Sequence, residues 1–469
     1  MNNAHINTKC SEIITQLLAK AKIAQRSYQT FTQSQVDETV LAAGWALMEP
    51  ARNRQLAEMA VQDTGLGNVA DKILKNHRKT LGLLRDLKGA KSVGVIAEDS
   101  ANGIVEIARP VGVVAALTPS TNPVATPANK IINALKGRNA VIVAPSPKGW
   151  NCCATLVGFI NAELAKVGAP PNLVQYLPAP VIREATVSLM QLCDLVVATG
   201  SQSNVRAAYA SGTPTFGVGA GNVCAIVDDS ADLPAAANNI TRSKSFDNAS
   251  SCSSENSLVI LDAVYQQTLG ALEEAGGVLL NSEEKCVLQR LLWQDGKLNP
   301  QVIAHSAQHI ATLAGLSLAK QAKFLMVTES GCGSDYPFSG EKLSPVLSIY
   351  RASDFTQACA MVAAIYAYQG AGHSVSIHTQ NDENILRLGL ELPVCRVIVN
   401  QAHCFATGGN FDNGLPFSLS MGCGSWGNNN FSENLNYRHY LNITRIVRKI
   451  PERIPTEQEI FGDYLQKFG

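Results

Sequence analysis

The spacing of apolar residues changes along the chain. Between residues 11 and 90 it is helical: Ile13, Ile14, Leu17, Leu18 and Ala21 fall on one face, the stripe of an amphipathic helix packed on a core. Ser11 precedes the stripe as an N-cap candidate. Such a helix has a second use, as an address for a partner surface. From Gly94 the period shortens. In "SVGVIAEDSANGIVEIARPVGVVAAL" apolar and β-branched residues alternate around Asn102-Gly103, which predicts a hairpin.

Short, wholly apolar runs then alternate with helical stretches. "VGVVAAL", "NAVIVAP", "NLVQYL" and "CDLVVATG" each lead into a helical pattern, near 126–136, 151–167, 183–190 and 202–210, and "CAIVDD" follows. Strands apolar on both faces, with helices between them, predict a parallel doubly wound sheet. Such sheets bind ligands beyond the C-terminal ends of their strands. A second alternating region spans about 238–425, with "SLVILD", "AKFLMVT", "PVLSIYRA", "HSVSIHT" and "VCRVIVN" as its strands. "RHYLNITRIVRKI" reads as a late strand without a core of its own, suited to pairing with another domain or subunit. A polar tail follows. The expected fold class is α/β, with two doubly wound domains, 1–237 and 238–430. A small β element for oligomerisation joins the 94–108 hairpin to the C-terminal strand and tail, 431–469. A length of 469 residues fits two cores.

Composition narrows the function classes. The hydrophobic fraction is 46%, the charged fraction 16% and the formal net charge zero. No basic footprint for nucleic acid or an anionic membrane is present. The start "MNNAHINTKCSEII" lacks a basic region followed by an apolar one, so no signal peptide is expected. No apolar run approaches the ~20 residues that cross a bilayer, and the chain reads as cytoplasmic. Its twelve cysteines should then be reduced and mostly buried. They form no C-x-x-C pair, and the adjacent Cys152 and Cys153 would point apart on a helix. His305 and His309 are spaced i, i+4 but lack the glutamate of a zinc hydrolase between them. No metal site is expected.

Several segments hold candidate chemistry. In "KSFDNASSCSSENSLVI", Cys252 sits among small polar residues. A free thiol of pKa ~8.5 is only a few per cent thiolate at neutral pH. A nucleophile there needs help, which backbone N–H groups at a loop or helix start supply; an inert loop cysteine is the other reading. Gly200-Ser201 lies where a strand gives way to a helix, a place where N–H groups hold a pyrophosphate, although no G-x-G-x-x-G is present. Gly217, Gly219 and Gly221 allow close backbone approach or form a tight turn. Asn122 in "LTPSTNP" offers an amide donor suited to an oxyanion. His373, before a strand, is either a base or a core histidine.

In order, "TPSTNP", "VATGS", "GVGAGN", "SFDNASSCSSEN", "EKLSPVLSIYRA" and "SMGCGSWGNNNFSENLNYRHYLN" resemble the CoA-acylating branch of the aldehyde dehydrogenase superfamily, over roughly residues 11–450. The resemblance implies an aldehyde dehydrogenase-like fold and NAD or NADP as cofactor. It implies coenzyme A as co-substrate, a small aldehyde or acyl-CoA as partner, and a homodimer or higher homo-oligomer. Cys252 matches the nucleophile, and Asn122 the oxyanion amide acting with the Cys252 N–H. His373 is the candidate for handling protons near the thiols. Thr118, Pro119, Ser146, Lys148, Gly200, Ser201, Gly219 and Gly221 fall on the cofactor side, with Glu341 matching the carboxylate on the nicotinamide ribose.

One departure carries chemical weight. Hydrolytic members have a glutamate in "ELGGK" that activates water, whereas the matching stretch here is "GVGAGN". An acyl-thioester then has no positioned base for hydrolysis. A thiol acceptor needs less help, its pKa being ~8.5 against ~15.7 for water. Ala144 and Pro147 stand where family members often carry a lysine and a glutamate near the adenosine ribose, and Lys148 is nearby. NADP is therefore expected to serve as well as NAD. The wording around Cys252 and Asn436 is similar to members acting on sulfoacetaldehyde; succinate semialdehyde and acetaldehyde are the alternatives. A sulfonate needs a cation, for which Arg242 and Lys244 are the candidates. A non-catalytic member of the fold used for binding or assembly is the reading from another class.

Overall fold

Four helices open the chain, Asn2–Tyr28, Gln33–Met48, Pro50–Thr64 and Val69–Leu87. The structure, a computed structural model, describes residues 2–469, with side chains from Ser11 onward. Ile14, Leu18 and Ala21 are buried, as their spacing requires. Ser11 is not an N-cap: the helix is already under way at Asn2, and the Ser11 carbonyl accepts from the Thr15 hydroxyl at 2.8 Å within it. A cap needs extended backbone at a helix start. The helix Val69–Leu87 does begin on a cap, Asn68, whose side chain accepts from the Asp71 N–H. It turns Lys72, Lys75, Asn76 and Lys79 into the interior.

Beneath these helices lies a five-stranded parallel sheet in the order Val174–Tyr176, Ala140–Ala144, Val113–Leu117, Leu195–Thr199, Thr215–Val218. Its two central-core strands, Val113–Leu117 and Ala140–Ala144, are buried at every residue, which accounts for their unbroken apolar runs. The order reverses between Val113–Leu117 and Leu195–Thr199, a topological switch point. The edge strand Thr215–Val218 was hidden in sequence by the glycines around it.

A seven-stranded parallel sheet follows, in the order Gly277–Leu279, Phe324–Thr328, Val346–Ala352, Glu255–Leu261, Val223–Val227, Val375–His378, Val397–Val399. Val223–Val227 precedes residue 238, the sequence-based start of the second domain, yet lies deep in this second sheet. Its neighbours in the ladder, not its place in the chain, decide where a strand belongs. Outside both sheets, Gly94–Asp99 and Ile104–Pro110 form the expected hairpin, and Leu441–Val447 pairs antiparallel along the far side of Ile104–Pro110. The tail is not merely polar: Glu457–Phe468 is a helix, started by a capping box between Thr456 and Glu459 that is legible as T-x-x-E.

Candidate active site

The two large sheets present opposite ends to each other. The C-terminal ends of Val113–Leu117 and Leu195–Thr199 lead into Thr118–Asn122 and Gly200–Ser201. Facing them, four adjacent strands of the second sheet start just after Glu341, Cys252, Gly221 and His373. Between them is a cleft of about 620 Å³. Asn122, Cys252 and Glu341 line it, together with Thr118, Pro119 and Ser146. Gly200, Ser201 and Gly219 line it as well.

Cys252 is half-buried, and its thiol is pushed up to about 12 by burial first, then by the charges of Glu341 and Cys423. The resting sulfur is therefore protonated. His373 Nε2 lies 3.7 Å from it. The His373 Nδ1 is 2.6 Å from Ser374 Oγ, and donation there leaves Nε2 as the acceptor facing the sulfur. Burial, Arg396 and His403 hold His373 down at about 3, so at rest it is neutral and a weak base. Arg396 also anchors the segment, donating to the His373 carbonyl at 3.0 Å and to Gly422 at 2.9 Å.

Glu341 accepts from the Gly221 N–H at 3.2 Å, and burial raises its carboxyl to about 8. At neutral pH it is mostly protonated and a poor base for water. Gly221 has no room for a side chain: a Cβ there would stand 2.4 Å from the Cys252 carbonyl oxygen. Asn122 presents its Oδ1 to Lys75 Nζ at 2.8 Å. Lys75 in turn meets Asp247 at 2.5 Å, with Lys72 on the same carboxylate oxygen at 3.1 Å. Thr118 Oγ1 and Ser146 Oγ are buried on the cleft wall without a partner among the described residues. Unpaired hydroxyls within the wall of a cleft fit a polar ligand such as a dinucleotide.

The first part of the chain, residues 2–324, matches the family model described as Aldehyde dehydrogenase family. This chain belongs to the aldehyde dehydrogenase family. It is 64% identical over 461 residues to the acylating sulfoacetaldehyde dehydrogenase of Cupriavidus necator, covering 98% of this chain and 94% of that one. It is 41% identical to the acetylating succinate-semialdehyde dehydrogenase of Clostridium kluyveri, covering 96% and 99%. Among solved structures, the acetylating aldehyde dehydrogenase of Geobacillus thermoglucosidasius superposes with a TM-score of 0.92 at 34% identity, covering 97% of this chain and all of that one.

In this aldehyde dehydrogenase two sequence expectations need correction. Arg242 is exposed, its guanidinium 4.3 Å above the Phe405 ring, and Lys244 is buried with its ammonium on the Glu255 carbonyl at 2.7 Å. Neither lines the cleft, because helix Leu233–Ser245 turns them away from it. Lys148 likewise is exposed beside the cleft and is not part of its lining. The cation that does line it among the described residues is Arg183, at the start of helix Arg183–Leu192. No motif marked it. His305 and His309 stack at 4.3 Å, and no group of metal-ligating residues occurs among the described residues. None of the described cysteines is paired, and Cys152 and Cys153 are both buried on helix Trp150–Lys166.

Proposed function

We propose that this enzyme converts sulfoacetaldehyde, coenzyme A and NAD(P)+ to sulfoacetyl-CoA and NAD(P)H, reversibly, through a thioester on Cys252. The observation that carries the reading is 64% identity across 98% of the chain to a relative named for that acylating activity. The cleft supports it chemically. Glycine and alanine occupy 219–221, where hydrolytic relatives place a water-activating carboxylate, and Glu341 is mostly protonated.

The nicotinamide cofactor, held by Thr118, Ser146, Gly200, Ser201 and Glu341, supplies the acceptor for the aldehyde's hydride. The chain does the rest. His373 Nε2 relays the Cys252 proton to solvent, and the thiolate adds to the aldehyde carbon. Asn122 Nδ2–H and the Cys252 N–H hold the resulting oxyanion. Loss of hydride leaves an acyl-thioester on the sulfur. The thiol of coenzyme A gives its proton to His373 and attacks that carbonyl, and the Cys252 thiolate leaves. One thioester replaces another, so the step costs little in either direction.

The test follows cofactor reduction with sulfoacetaldehyde, succinate semialdehyde and acetaldehyde, each with and without coenzyme A. The expected result is turnover only with coenzyme A, and the highest kcat/KM for sulfoacetaldehyde. Equal turnover without coenzyme A would make the enzyme hydrolytic, and silence in both would make it a binding or assembly protein. NADP should replace NAD within a thousandfold in kcat/KM. No described helix is long and apolar enough to cross a membrane, and we place the enzyme in the cytoplasm as a homodimer or larger homo-oligomer.

A further inference from the structure

The approach to Cys252 is an unusual piece of backbone. Asp247, Asn248 and Ala249 are consecutive non-glycine residues in the left-handed region, with φ of 49°, 53° and 56°. Side-chain-bearing residues seldom adopt it even singly. The turn persists because the helix Val69–Leu87 clamps it. The Asp247 N–H donates to Asp71 Oδ2 at 2.7 Å, and its carboxylate accepts from the Asn68 N–H at 2.9 Å and the Ser250 hydroxyl at 2.8 Å. Gly67 leaves the space this needs: a Cβ there would lie 1.9 Å from Asp247 Oδ1.

The same helix reaches across to the amide. Lys75 Nζ touches Asp247 on one side and Asn122 Oδ1 on the other, with the Phe246 ring 5.5 Å away. An ammonium only donates. It therefore accepts one orientation of the Asn122 amide, carbonyl toward Lys75 and NH2 away from it. A positive charge on the amide oxygen also strengthens its N–H groups as donors.

We propose that Lys75 is a positioning residue for the oxyanion site: it pins the carbonyl end of Asn122 so that Nδ2–H faces the aldehyde oxygen at Cys252. This rests on the reading of Asn122 as the oxyanion donor. The Lys75–Asp247 pair thereby registers the amide of one sheet against the nucleophile of the other.

The experiment is a double-mutant cycle on the full chain, with turnover of sulfoacetaldehyde and coenzyme A as the first readout. Asn122→Ala alone tests the underlying reading, with kcat expected to fall about 10²- to 10³-fold. Undiminished kcat in that variant sinks both ideas at the start. Lys75→Met should lose ~10- to 100-fold in kcat with the KM for coenzyme A unchanged, and the double variant no more than ~3-fold beyond Asn122→Ala. Alkylation of Cys252 by iodoacetamide, followed by peptide mass, builds no oxyanion. In Lys75→Met its rate should stay within ~3-fold of the parent. Multiplied losses in the double variant, or alkylation falling together with turnover, would show Lys75 to be a brace for the loop and overturn the proposal. Lys75→Gln keeps a donor and should retain kcat within ~10-fold of the parent. It serves if the Met variant does not fold, and a loss as deep as that of Asn122→Ala would reject the idea.

Discussion

Cys252 rests as a thiol whose pKa, about 12, is set first by burial and then by the negative charge of Glu341. Well below that value, thiolate grows tenfold with each pH unit. The rate of Cys252 alkylation should therefore climb about tenfold per unit from pH 6 to 8 without a plateau. Near pH 8 Glu341 ionises and makes the next deprotonation harder, so the climb should flatten. Glu341→Gln should remove the flattening, and a slope unchanged by that substitution would disconnect the two groups. Cys252→Ser should cost ~10³-fold or more in kcat, since an alkoxide is far harder to form than a thiolate. At this scale the cysteine was legible because its polar setting and the FDN-x-x-x-C wording mark it. Lys75, Ser374 and Arg396 were not. They act through contacts 2.8 Å, 2.6 Å and 3.0 Å long with residues far away in sequence or with a neighbour's ring, and no local pattern records those distances.

The elements explain why the site is stiff. Loop Gly219–Asn222 passes directly behind the nucleophile, so Gly221→Ala would drive a methyl into the Cys252 carbonyl. Displacement of about 1 Å at a reacting group costs ~10²-fold, and kcat should fall by that order, with a loss of about 1–3 kcal/mol in stability from the backbone clash. Gly67→Ala acts on folding as well, because Gly67 has φ +73° and faces Asp247. A loss of about 1–3 kcal/mol is expected from denaturant titration. Most elements could be read from period alone: fully apolar runs became the buried strands, and the stripe through Ile14, Leu18 and Ala21 became a core face. Thr215–Val218 escaped because Gly217 breaks the run, and Ser11 misled because a cap residue looks the same inside a longer helix.

For the molecule as a whole, the three-stranded sheet of Gly94–Asp99, Ile104–Pro110 and Leu441–Val447 stands apart from both cores. Val447 is 71% exposed and Ile446 beside it 43%. If a second copy covers this sheet, sedimentation should show a dimer or larger species, and Val447→Glu should shift it toward monomer. A monomeric parent would dismiss that assembly. The sequence by itself determined the α/β class and the family and singled out Cys252 as the candidate nucleophile, because periodicity, motif order and side-chain chemistry are written locally along the chain. Tertiary structure alone decided that Val223–Val227 joins the second sheet, that Arg242 and Lys244 turn away while Arg183 lines the cleft, and that Lys75 reaches Asn122. Those facts depend on which strand ends face each other across the cleft, a relation between distant segments that packing settles and spacing does not encode.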